Sequence, residues 1–480
     1  MNPERWDAVG RSSLPGHGTF ILLLLLSWWH WDLRVVHVDS AYQVFSWIND
    51  PAYKIEAYRY SAVLPQALVK LLDASGAGMN VLLVAASVAH VLVAYTIYMF
   101  CVHILRARSV ALAMPLATVL CMHTSFYGMV LEAHYLLSYP FLLLAFWEWA
   151  FRKGAGHRPW TWLVCLLLLV PILLVHPTAF AFVLYMALFA WVLPGRTWQL
   201  PVSAVLFAGL WAIMHRTWFP PSAYELEFST NLRTGLSDPG RIPELPSTGF
   251  FMEGLLLPGK LYILPIALLL MGIAALLRSG HRLHAIGALV AFPVYLGVIF
   301  LSSPYGQQEI MMDKSILPSG LLVALPWVFG GAQVGEDTRM PRLWMAMLMV
   351  VLVVKLSTIA MAASAFEERR ARLRQLVEDG RAAGGGVRYI TEDAQRAYGL
   401  MDDWGLPFET VLLSTSDGGA PVMLLPCEPL PEGASWEQLP FWLQDMHYPL
   451  DRGRFGFDLD PSALHTLPVF SAEGAGPLNQ

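Results

Sequence analysis

Eleven long apolar runs, separated by mostly short polar connections, dominate this sequence and narrow sharply what it can fold into. Each approaches the length a helix needs to cross about 30 Å of hydrocarbon. The runs are Thr19–Val36, Met79–Ile104, Ser109–Phe126, Tyr135–Phe151, Trp160–Leu174, Ala179–Leu193, Gln199–Ile213, Leu261–Leu277, Leu283–Leu301, Ile316–Phe329 and Leu343–Met361. The chain therefore reads as an all-α polytopic membrane protein of about eleven transmembrane helices. Composition agrees, with 56% hydrophobic and only 14% charged residues, where soluble domains carry about 25% charge. Eighteen Trp and seventeen Tyr suit repeated crossings of two membrane interfaces. A net charge of -5 is too small to imply nucleic acid. Cys101, Cys121 and Cys165 fall inside apolar runs and Cys427 stands apart, which indicates neither a disulfide framework nor a thiolate metal site. Asp39 and Ser40 follow the first run without a small-residue cleavage site, so a retained anchor is expected.

Charge asymmetry orients the runs. Arg5 and Arg11, Arg106 and Arg108, Arg152, Lys153 and Arg158, Arg196, Arg278 and Arg282, and Arg339 and Arg342 occupy every second connection. The positive-inside rule places these, and the N-terminus, in the cytoplasm. The first outer loop is then 37–78, and an odd number of crossings puts the C-terminal tail outside. Arg369, Arg370, Arg372 and Arg374, just past the last run, argue the other way. The chain divides into a transmembrane domain over 1–365, a helix and linker over 366–386, and a soluble domain over 387–480. Ala383 to Gly386 reads as a hinge. Beyond it, Val387–Ile390, Thr410–Leu413 and Val422–Leu425 are expected as strands and Ala394–Asp403 as a helix, a small α+β unit.

The first outer loop carries the chemistry. Ala41, Phe45 and Ile48, then Leu64, Leu68, Leu71 and Leu72, keep helical spacing and predict two amphipathic helices along the interface, divided at Asp50-Pro51. Asp39 at the membrane mouth is followed about twenty residues later by Arg59, with Tyr42 and Glu56 between them. A carboxylate can deprotonate a hydroxyl or hold a divalent ion, and a guanidinium can grip a phosphate in its planar fork. Two readings of Asp39 stand side by side, since Ser40 with Gln43 also fits a capping box in which Asp39 is only a favourable helix-start charge. Arg59 alone equally fits an interfacial anchor. Glu132 and His134 belong to the same outer side, and ionisable groups at membrane depth are functional candidates. His176 and His123 join them at nearby helix ends, and the set is compatible with a divalent metal ion although no fixed ligand spacing is present. Any one of these histidines equally fits a packing role. Lys314, before the tenth run, is a candidate second phosphate contact, with Asp313 beside it as a neutralising partner.

An inside N-terminus, an acid directly after the first helix, a long first outer loop with an arginine further along, many crossings and an outer C-terminal domain together resemble the GT-C glycosyltransferases. The segment from Asp39-Ser40-Ala41-Tyr42 to Tyr58-Arg59-Tyr60 also resembles bacterial multi-pass proteins of that plan. The resemblance implies a transferase in the bacterial cytoplasmic membrane that moves a sugar from a polyprenyl-phosphate carrier to an extracytoplasmic acceptor. It assigns Asp39 as base or acceptor-site acid, Arg59 to the lipid phosphate and Glu132 as an assisting or metal-binding acid. The sequence departs from that pattern in lacking a paired-acid motif in the first loop. A lipid or polysaccharide transporter and a non-catalytic scaffold are the rival readings. Transporters show inverted repeats, and no two halves of this chain correspond.

Overall fold

The computed structural model describes residues 13–55, 59–128, 132–221, 223–306, 309–333, 339–400, 404–427, 429, 452–456 and 465–470. The described residues are overwhelmingly helical, with three short strands. Every one of the eleven apolar runs contains a helix. Among the described residues four helices are long and apolar enough to cross a membrane: Met79–Ile104, Arg282–Ser302, Glu309–Ala332 and Arg342–Ala382. Six more, such as Pro159–Leu173 and Ala179–Ala190, are apolar but shorter. At 1.5 Å per residue a helix of 12 residues spans about 18 Å, short of the hydrocarbon thickness. The protein is thus a membrane-associated helical protein, with four helices meeting the full length.

The helix Ser319–Gln333 forms the centre of the bundle, and it packs between Ile263–Arg278 and Arg108–Leu120. Pro326 lies inside it and removes the hydrogen bond that the Leu322 carbonyl would accept. The Tyr185 hydroxyl supplies the missing donor at 2.7 Å, which is how a membrane helix tolerates proline. Close approach on the other side needs small residues. A Cβ on Gly272 would sit 2.7 Å from the Pro326 carbonyl carbon, so only glycine lets these two backbones meet. Gly272→Val is therefore expected to push the helices apart at a cost of about 1–3 kcal/mol, read as a lower unfolding temperature in detergent. An unchanged transition would exclude this contact.

The first long loop, 37–78, and the tail share one hydrophobic core. Ala41, Phe45 and Ile48 lie on the helix Val38–Asn49 as expected and are buried, but the tail and not lipid covers them. Phe45 meets Phe408 at 5.2 Å and Phe455 at 5.0 Å between ring centres. The second loop helix, Val63–Ala74, does expose Leu64 and Leu71. In the tail, β1 (Gly386–Ile390) is flanked by β2 (Val422–Leu425) and β3 (Val469–Phe470), all parallel, in the order β2-β1-β3. Thr410–Leu413, expected as a strand, lies instead in the helix Leu406–Ser416, buried on all sides. A short apolar run cannot be told from a buried helix turn by periodicity alone. Parallel neighbours need a crossover, and this helix is part of it.

The glycines expected as a hinge make a tight turn. Gly384, Gly385 and Gly386 have φ of +112°, +68° and +76°, values that glycine adopts cheaply. They fold the chain back so that Leu373, Leu376 and Val377 of the helix Ser364–Ala382 join the sheet's core. The arginine cluster on this helix is spent on ion pairs. Arg369 binds Glu409 at 2.8 Å, while Arg370 and Arg374 both reach Asp32 at 3.0 Å. Arg372 pairs with Glu368. These arginines staple the tail to the segment after the first apolar helix, so the first loop and the tail lie on one side.

Candidate functional site

Asp39 sits in the first turn of the helix Val38–Asn49, whose N-cap is His37. The helix begins earlier than a Ser40 cap requires, and no side chain caps it, so the Ser40–Gln43 capping box is not formed. Asp39 still gains from the helix N-terminus, where a negative charge is favoured. It lines a cavity of about 180 Å³ together with His37, Ser40, Gly128, Ile310, Met311 and Trp404. Trp404 comes from the tail, so the wall is assembled from four stretches of the chain that are distant in sequence.

The backbone beside Asp39 is strained. Val38 has φ of +26°, which costs a β-branched residue energy. Its N–H donates to the Glu409 carboxylate at 2.9 Å, and Glu409 is fully buried in the tail under the Arg369 fork. The tail thus holds the conformation that presents Asp39.

Burial, with Arg369 nearby, pushes the His37 imidazole down to about 3, so it stays neutral at pH 7 and offers hydrogen bonds and no positive charge to the cavity. The unfolded chain, with its ordinary value near 6.5, takes up the proton first. Stability from this group is intact above about pH 6.5 and declines as the pH falls toward 3. His37→Gln should flatten that decline, by about 1 kcal/mol at pH 5 after discounting for partial exposure. Identical acid-unfolding profiles for the two proteins would refute the assignment.

A charged cluster adjoins the cavity through the helix Glu309–Ile316, which contributes Ile310 and Met311 to its wall. Asp313 on that helix is fully buried and accepts from the Ser125 N–H at 2.7 Å, the His123 N–H at 3.1 Å and the Tyr262 hydroxyl at 3.0 Å. Lys355, also fully buried, donates to the Lys260 carbonyl at 2.9 Å. The Lys260 ammonium lies 3.3 Å from Glu309 and 3.7 Å from the centre of the Phe250 ring, and His123 Nδ1 lies 3.9 Å from the same Glu309 oxygen. Glu309 is half exposed, so an acid at the cluster's open edge bridges a lysine and a histidine.

The expected gathering of Asp39 and Arg59 does not occur. Arg59 lines a different cavity, of about 90 Å³, with His176 and Glu225, and its guanidinium lies 3.7 Å from Glu225. The first-loop hairpin turns away because Gln66 binds both backbone groups of Lys54, at 2.9 and 2.6 Å, and Lys70 binds the Asp50 carbonyl. Tyr42 is a packing residue between Phe408, 5.1 Å away, and Trp404, with Lys54 over its ring. His134 is half-buried on the 3₁₀ turn Glu132–Leu137, within electrostatic reach of His90. The Glu132 side chain and all of Glu56 lie outside the described residues. Lys314 is half-buried and lines neither cavity. Among the described residues no three His, Cys, Asp or Glu side chains group as metal ligands.

Lys355, Lys260 and Tyr262 are the members that sequence reading passed over. Lys355 had a signal, being the one charged residue in the run Leu343–Met361. No family model, curated protein or solved structure matches the chain.

Proposed function

We propose that this chain is a GT-C-like membrane glycosyltransferase that moves a sugar from a polyprenyl-phosphate-linked donor to an extracytoplasmic acceptor. The observation that carries the reading is the Asp39 cavity, a carboxylate presented on strained backbone directly after the first apolar helix and bordered by a buried charged cluster. Asp39 accepts the proton of the acceptor hydroxyl as its oxygen attacks the anomeric carbon. The bond from that carbon to the carrier oxygen breaks, and polyprenyl phosphate leaves with the electron pair. Lys260 and His123 replace Arg59 as the groups that meet the phosphate, because Glu309 now holds the place between them that an anion would take. Eleven crossings, a cytoplasmic N-terminus and a tail outside the bacterial cytoplasmic membrane belong to this reading. The shared side of first loop and tail supports it.

The cavity is smaller than the about 300–1,000 Å³ of ordinary ligand pockets. That volume suits a headgroup while the prenyl chain stays in lipid. The test is turnover by the purified chain in vesicles supplied with a labelled polyprenyl-phosphate sugar. Released polyprenyl phosphate and a labelled acceptor support the reading. Passage of the intact donor across the bilayer without release would make the chain a flippase, and no reaction with a panel of donors would leave the scaffold.

A further inference from the structure

A third cavity, of about 390 Å³, lies at the other end of the helices that carry the Arg59 cavity. The Arg59 cavity is lined by His176 and Pro177, before the helix Ala179–Ala190, and by His215, near the end of Gln199–Trp218. The larger cavity is lined by Ala190 and Trp191 at the end of the first helix and by Trp198 and Gln199 at the start of the second. Along the second helix, Gln199 of one lining and Trp211 of the other are about 18 Å apart. The two cavities therefore lie toward opposite ends of this helix pair.

Its lining has a consistent chemistry. Arg196 and His157 bring donors to the wall, and both are exposed. Thr197 Oγ1 and Gln199 Oε1 are buried atoms without a hydrogen-bond partner. Buried polar groups are rarely left unmade, because each costs about 1–3 kcal/mol, so two in one cavity point to a ligand that completes them. The Thr197 hydroxyl is a donor, and the Gln199 amide becomes one by turning over its end. Trp191 and Trp198 are 44% and 61% exposed beside these groups, as rings at the headgroup level of a membrane are. Size, donors and aromatic flanks fit a phosphodiester with acyl chains running along the two apolar helices.

We propose that this cavity binds the headgroup of an anionic phospholipid, at the end of the helix pair opposite the Arg59 cavity. Arg196 and Thr197 hold the phosphate oxygens, Gln199 and His157 complete the shell, and the tryptophans fix the depth of the glycerol. The site is independent of any transferase activity.

Native mass spectrometry of the full chain, released from detergent with added phosphatidylglycerol or phosphatidylcholine, tests this directly. One phosphatidylglycerol is expected to stay bound where phosphatidylcholine does not. Arg196→Gln should lower that retention about tenfold, the equivalent of one charge-assisted hydrogen bond. Thr197→Val, which breaks no hydrogen bond within the protein, should lower it several-fold and keeps the test open if the arginine variant fails to fold. Equal retention of both lipids, or unchanged retention in Thr197→Val, overturns the proposal. Inorganic phosphate that binds equally well and displaces the lipid would make the cavity a free-anion site and overturn the lipid assignment.

Discussion

Asp39→Asn should lower sugar transfer by about 10²- to 10⁴-fold, the range attributed to a positioned general base, while the protein remains folded. Asparagine has nearly the same shape, so it fills the same corner of the cavity. The lost helix-start charge is worth about 0.3–1 kcal/mol. The proton acceptor is gone, however, and among the described residues no other carboxylate lines that cavity. His37 cannot take over as a strong base, since burial keeps its affinity for a proton low. The measurement is release of polyprenyl phosphate per folded molecule, with melting temperature recorded beside it. Turnover within twofold of the parent would remove Asp39 from the chemistry. A collapse of folding in parallel with activity would instead make it a structural helix-start charge.

Periodicity and charge located the helices because both report directly on lipid. Each apolar run became a helix, and Asp39 stood out because it follows the first one immediately. Two kinds of information were missing. The amphipathic face of Val38–Asn49 reads the same whether lipid or protein covers it, so the docking of Phe408 and Phe455 on that face had no local signature. The arginines near position 370 likewise read as a vote on topology, although ion pairs with Asp32 and Glu409 consume three of them. Long-range partners also misled the site. Arg59 is near Asp39 in sequence but finds Glu225, whereas Asp313 and Lys355 are distant in sequence and reach the same cluster. Sequence spacing constrains which residues share a helix face, and it says little about which helix ends meet.

Glu409→Ala is expected to release the tail from the first loop and to silence the site from a distance. The carboxylate is fully buried and accepts from Arg369 Nε and Nη2 and from the Val38 N–H. Alanine leaves a largely buried guanidinium and a backbone donor unsatisfied. Removing one partner of a buried pair costs about 3–5 kcal/mol, and the remaining exposure of Arg369 puts this case at the lower end. The strained Val38 backbone then relaxes, since the hydrogen bond that over-determines it is lost. Hydrogen exchange should show it as faster labelling of residues 38–49 and of the tail, with the membrane helices unchanged. Transfer should fall with it, although Glu409 touches no substrate. Glu409→Gln keeps an acceptor for Val38 and should be milder. Replacing Glu409 by Leu together with Arg369 by Met removes the stranded charge and should recover docking but not the Val38 bond, so protection returns further than turnover does. Equal recovery of both would mean that the tail acts by packing alone, and unchanged exchange in Glu409→Ala would mean that this clamp holds nothing.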